Sequence, residues 1–192
     1  MSSRRNVAPC HDTGAGIHRA PTRGIGAVDP GPVSSTGWHV RRDGGQVMTE
    51  VSFHFNVADS LNYACRLLRK ATRKGAKVAV VAPAPVLATL DKALWTFDPL
   101  DFCPHVRLAA GAAPAPRLRP TPIWLLDRAA DAPDHDVLLN LGPQVPAGFE
   151  SFERIIEVVA AGDADRAAGR ERWKHYASRG YAITRHEVPD GA

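Results

Sequence analysis

Arg166, Arg170 and Lys174 recur at i, i+4 and i+8, which on a helix aligns three cations along one edge. Trp173 falls beside them, at the boundary with Gly169, Tyr176 and Ala177, the positions expected to face inward. Cations flanking an aromatic ring can receive an acidic peptide with an apolar end, or phosphates with stacked bases. The same pattern also describes a solvated helix face on which Trp173 anchors the core. A second unusual segment is Leu94-Trp95-Thr96-Phe97-Asp98-Pro99-Leu100-Asp101-Phe102-Cys103-Pro104-His105. At about 100° per residue, Trp95 falls opposite the apolar stripe of Val86, Leu87, Leu90, Ala93 and Leu94. With Phe97, Leu100 and Phe102 following, the segment is either a protein-contact patch or a small satellite core.

Catalytic and cofactor motifs do not assemble. No G-x-x-x-x-G-K-[ST] occurs, and Gly75-Ala76-Lys77 precedes a strand instead of following one. Asn56-Val57-Ala58-Asp59, after the first strand, has no glycine to let a phosphate approach the backbone. Gly14 and Gly16 form a GxG with no strand before it. Cys10-His11 is a lone pair, and Cys103 with His105 lacks a second pair at zinc-finger spacing. A buried or loop-borne cysteine and a solvated histidine are expected there. Asp134-His135-Asp136 reads as a turn at a strand entrance, and there is no G-x-S-x-G. The sequence therefore predicts no catalytic, cofactor-binding or metal site, and no cofactor.

The elements that must position the two segments follow from periodicity. Val51, Phe53 and Phe55 alternate with Ser52, His54 and Asn56, a first strand. Asp59 or Ser60 can cap a helix with Leu61, Ala64, Cys65, Leu68 and Ala71 on one face, stopped by Gly75. Lys77–Ala82 is a short, fully apolar strand, so a β-α-β unit with parallel strands is expected. Pro83 and Pro85 open a second helix. Ala112–Pro122 is a loop, followed by apolar runs at Ile123–Leu126 and Asp136–Leu141, and by a candidate strand at Phe152–Val159. Asp163–Arg179 forms a last helix and Tyr181–Glu187 a terminal strand. The pattern predicts a single α/β sandwich with a mostly parallel sheet.

Composition draws the outer limits. The 192 residues carry a net charge of +4 with 44% hydrophobic and 23% charged content, ordinary for one globular domain. No run approaches the roughly 18 apolar residues of a membrane span. Three widely spaced cysteines suit a reducing cytoplasm. Residues 1–47 hold 8 of the 16 glycines and no periodicity, so they are expected to be a disordered arm, or to precede a true start at Met48. Residues 48–192 are nearly neutral, with 18 basic and 17 acidic side chains. Bulk charge thus gives little support to direct nucleic-acid binding, and any basic function must be local.

From Met48 to about Val188 the sequence resembles the chi subunit of bacterial DNA polymerase III holoenzyme. The resemblance is carried by Phe53-His54-Phe55-Asn56, Gly75-Ala76-Lys77-Val78 and Leu90-Asp91-Lys92-Ala93-Leu94-Trp95. It continues through Phe102-Cys103-Pro104-His105, Leu108-Ala109, Asp136–Leu141 and Arg170-Glu171-Arg172-Trp173-Lys174-His175-Tyr176. It implies a non-catalytic adaptor with a three-layer, Rossmann-like fold lacking a phosphate-binding loop. Two partners are implied, with nucleic acid engaged only indirectly. One is the psi subunit of the clamp loader, facing Trp95 and Phe102. The other is the acidic C-terminal tail of single-stranded DNA-binding protein, facing Val159, Arg166, Arg170, Trp173 and Lys174. The family's usual tyrosine and lysine are Trp173 and Arg166 here, and the 47-residue arm has no counterpart. The alternative is a nucleotide- or ligand-binding α/β protein, possible as an enzyme, using the crevice at the strand ends.

Overall fold

The computed structural model describes residues 48–100 and 102–189, so the expectation for residues 1–47 lies outside the described residues. The elements run β1 (Glu50–Val57), α1 (Ser60–Arg73), β2 (Val78–Val81), α2 (Ala84–Thr96), β3 (His105–Leu108), β4 (Ile123–Leu126), β5 (Val137–Asn140), β6 (Arg154–Ala160), α3 (Asp163–Ser178) and β7 (Ile183–Glu187). The seven strands form one sheet in the order β3-β4-β2-β5-β6-β1-β7, and every adjacent pair is parallel. The sheet is thus wholly parallel. The first β-α-β unit is parallel as expected, although β5 and β6 lie between its two strands.

Side-chain alternation sorts the core into two faces. Val78, Val80, Ile123, Leu125, Val137, Leu139, Ile156 and Val158 meet α1 and α2. Val51, Phe53, Trp124, Leu126, Leu138, Ile155 and Val159 meet Tyr176 and Trp173 of α3, with Phe149 and Phe152. Opposite faces follow from direction: β1 to β2 and β2 to β3 step one way along the sheet, while β6 to β7 steps the other. Crossovers of one hand therefore put α3 opposite α1 and α2, giving three layers.

Local chemistry sets the ends. Asp59 Oδ1 accepts from the Leu61 and Asn62 amides, both at 3.0 Å, and Gly75 takes the left-handed φ of 71° that stops α1. Pro83 is the N-cap of α2. The proline-rich loop before β4 holds one 3-10 turn, Pro116–Leu118.

Three expectations need correction. Periodicity gives no sign of β3, because its four residues include His105 and the exposed Arg107 and carry little apolar signal. His105 is buried rather than solvated, its ring sheltered between β3 and α2. On α3 the inward positions are Gly169, Arg172 and Tyr176, while Ala177 is exposed. Among the described residues, no helix is long and apolar enough to cross a membrane.

Candidate functional site

The basic edge of α3 borders a pocket of about 530 Å³ between the helix and the end of the sheet, lined by Phe55, Asn56, Val159, Arg166, Arg170, Arg185 and Glu187. Of the five residues expected here, the structure brings together Val159, Arg166 and Arg170. Trp173 stands behind them, half-buried, with its ring 5.1 Å from Phe53 and 6.1 Å from Phe55, which itself lines the pocket. Lys174 does not line it and pairs with Glu171 at 2.8 Å.

The other wall comes from β1 and β7, whose register sets Phe53 beside Arg185 and Phe55 beside Glu187. Sequence reasoning missed Arg185 and Glu187 because only that register joins them to the helix. Asn56 links the walls. Its side chain accepts from Arg166 at 3.2 Å and donates to Glu187 at 2.9 Å. It does so from a left-handed backbone, φ 59°, where the β1–β6 register shifts; asparagine tolerates that region better than most residues.

Four arginines elsewhere in the domain hold carboxylates: Arg69 with Asp98, Arg128 with Asp131, Arg154 with Glu50 and Arg172 with Glu157. The pocket differs. Arg166 bonds only the Asn56 amide, and Arg170 and Arg185 make no hydrogen bond or ion pair among the described residues. Three guanidinium groups with free donors thus surround the apolar surface of Phe55, with Val159 buried behind it, which suits a carboxylate-bearing ligand with an apolar end.

Beneath the pocket, α3 is pinned to the sheet by a buried polar network. Glu157, in the middle of apolar β6, accepts from Arg172 Nε at 2.7 Å, from Tyr176 at 2.7 Å and from Asn140 at 3.0 Å. Arg172 also donates to the Pro143 and Val158 carbonyls. Burial pushes the Glu157 carboxyl up, and the Arg172 charge opposes that push. Tyr176 is driven well above the usual phenol range, first by burial and then by Glu157, so its hydroxyl remains a donor. Gly169 lets the helix approach: a Cβ there would lie 2.9 Å from both Val159 methyls.

The second surface lies on the opposite face, at the other edge of the sheet. Trp95 ends α2 with 60% of its surface exposed, and Phe102 is 61% exposed, their rings 5.3 Å apart. Leu100 between them is almost fully exposed, whereas Phe97 turns inward against the core. The aromatics therefore divide, Phe97 packing and Trp95 and Phe102 remaining outside. Trp95 rests edge-on against the His105 ring at 5.2 Å. His105 Nδ1 donates to the Cys103 carbonyl at 2.7 Å, and Nε2 lies 3.3 Å from Asp91 without the alignment of a hydrogen bond. Cys65 and Cys103 are buried, and burial pushes the Cys65 thiol up to about 11, away from thiolate chemistry.

A further crevice of about 530 Å³ lies at the ends of β2, β4 and β5, where α/β proteins bind nucleotides. Two of its polar side chains are engaged internally. Asn140 bonds the Gly142 amide and Glu157, and Arg128 is held by both oxygens of Asp131.

The family described as "DNA polymerase III chi subunit, HolC" matches residues 48–184. The DNA polymerase III subunit chi of Pseudomonas aeruginosa is 32% identical over 148 residues, covering 74% of this chain and 99% of that protein. The Haemophilus influenzae subunit of the same name is 33% identical over 129 residues, covering 65% of this chain and 85% of that protein. Among solved structures, the C-terminal domain of the DEAD-box protein Dbp5 aligns with TM-score 0.48 and 12% identity, over 74% of this chain and 91% of that one, a likeness too slight to bear on function. The chain belongs to the DNA polymerase III chi subunit family, an accessory role in DNA replication and not a catalytic one.

Proposed function

We propose that the protein is an adaptor joining the clamp loader, through psi, to single-stranded DNA-binding protein on the lagging strand. The α3 pocket would take the acidic C-terminal tail of the binding protein, and the Trp95–Phe102 surface would take psi. The observation that carries the reading is the trio of guanidinium groups without carboxylate partners around an apolar floor. Guanidinium forks suit carboxylates, including a chain-terminal one, while Phe55, backed by Val159, suits the last apolar side chain. Exposed Trp95 and Phe102 have the character of interface anchors. Nucleic acid is then engaged through the protein tail alone.

The test is a titration of a synthetic acidic peptide ending in an aromatic residue and a free carboxylate. Wild type should bind it with an affinity that falls as salt screens the exposed cations. Arg170→Glu should abolish most of that binding, since it adds repulsion to a lost contact, while psi remains bound. Equal affinity of wild type and variant, or of peptides with and without the last aromatic residue, would sink the assignment. Saturable binding of free nucleotides would favour the strand-end crevice instead.

A further inference from the structure

Arg185 lies on β7, at the edge of the sheet, and the family match ends one residue before it. Its guanidinium sits over the Phe55 ring, 5.2 Å from the centroid, on the sheet wall of the pocket. The cation–π contact restrains the group against the ring, while its N–H donors make no hydrogen bond among the described residues and remain available to a ligand. Arg166 and Arg170 belong to the helix wall opposite. A peptide lying between the walls meets cations from two directions.

We propose that Arg185 is a specificity-determining residue of this pocket. It grips an internal carboxylate of the acidic peptide, upstream of the terminal residue, while Arg166 and Arg170 take the terminal carboxylate. The inference rests on the acidic-tail reading above. Under it, the site reads two carboxylates at a fixed separation, so a peptide with a bare terminal aromatic and no upstream acid is a poor ligand. The Glu187 carboxylate, two residues along and held by Asn56, keeps the rim from becoming a general anion trap.

Three peptides separate the roles: the acidic peptide, the same peptide with its internal acids replaced by amides, and the same peptide with an amidated C-terminus. Each is titrated calorimetrically into wild type, Arg185→Ala and Arg170→Ala, with folding checked by circular dichroism. Arg185→Ala should weaken the acidic peptide roughly fivefold, the scale of an exposed charge pair, and should have no effect on the internally neutral peptide. Arg170→Ala should weaken both of those and lose its effect on the amidated peptide. Arg185→Lys, which keeps the charge but not the planar fork and leaves the strand undisturbed, should recover only part of the loss. If Arg170→Ala weakens binding but Arg185→Ala does not, or if Arg185→Ala weakens the acidic and internally neutral peptides alike, the role given to Arg185 is wrong. If neither variant weakens binding, the acidic-tail reading itself falls.

Discussion

Gly169 of α3 lies against Val159 of β6 so closely that a single added methyl would meet both valine methyls at 2.9 Å. The helix carrying Arg166 and Arg170 is set at its distance from the sheet by a missing side chain. Val159 is buried, so it cannot swing aside.

Gly169→Ala is therefore expected to destabilise the domain. Overpacking costs about 1–3 kcal/mol, partly offset by the roughly 1 kcal/mol by which alanine favours a helix. Peptide binding should weaken as well, because the helix wall moves. Adding Val159→Ala, which removes the opposing methyls, should restore the helix position; denaturant melts of the single and double variants test the coupling. Additive losses would mean that the two residues are not in opposition.

Trp95→Ala and Phe102→Ala should each cost little stability, within about 0.5 kcal/mol for exposed sites, and at least about 2 kcal/mol of psi binding as interface anchors. Thermal melts and a psi titration measure the two separately. A double variant that unfolds the domain would show the rings to be core.

Arg172→Ala should cost about 3–5 kcal/mol, since it leaves the Glu157 carboxylate buried without its cation. A matched apolar replacement of both, Glu157→Leu with Arg172→Met, should be much milder. Urea melts of the two variants would reveal the difference, and a mild Arg172→Ala would contradict the network's role.

His54 provides a pH signature. Burial, then the neighbouring His186 and Arg154, lower its pKa from 6.5 to about 4, and Tyr63 meets its Nδ1 at 2.6 Å. Between those two values the unfolded chain binds more protons than the folded one. Stability from this site is thus fully present above about pH 6.5 and is lost as pH falls towards 4, on the order of 3 kcal/mol in all. His54→Phe should flatten that part of the stability–pH curve, read from melting temperatures across the range. An unchanged slope would assign it to other groups.

Glu187→Gln should tighten the acidic peptide several-fold, because the variant keeps a polar partner for Asn56 and removes a like charge from the rim. Calorimetry at two salt concentrations checks this, with the gain shrinking at high salt.

Much of this architecture is legible in the sequence because VAVV, IWLL and VLLN are short apolar runs of the fully buried kind, separated by turn residues. β3 is not legible, since Pro104 precedes four residues of mixed character that only the sheet edge completes. The helix wall of the pocket is readable from i, i+4 spacing on α3. The sheet wall is not, because Phe55 and Glu187 are joined only by the β1–β7 register. One signal was available but unused: Glu157 within RIIEVVA is a carboxylate in a strand that is otherwise buried, which requires a cation such as Arg172 somewhere nearby.

The strand order has a mechanical consequence. β3 and β7 are the two edges, so six inter-strand gaps of about 4.8 Å, roughly 29 Å in all, separate the Trp95 end of the molecule from the Arg185 end. Right-handed twist of about 20–25° at each gap turns one edge well over 100° from the other. Short peptides bound at these edges would lie too far apart to touch. The sheet then behaves as a rigid spacer whose ends load independently, so losses from Trp95→Ala and Arg170→Ala should multiply when both attachments are required at once.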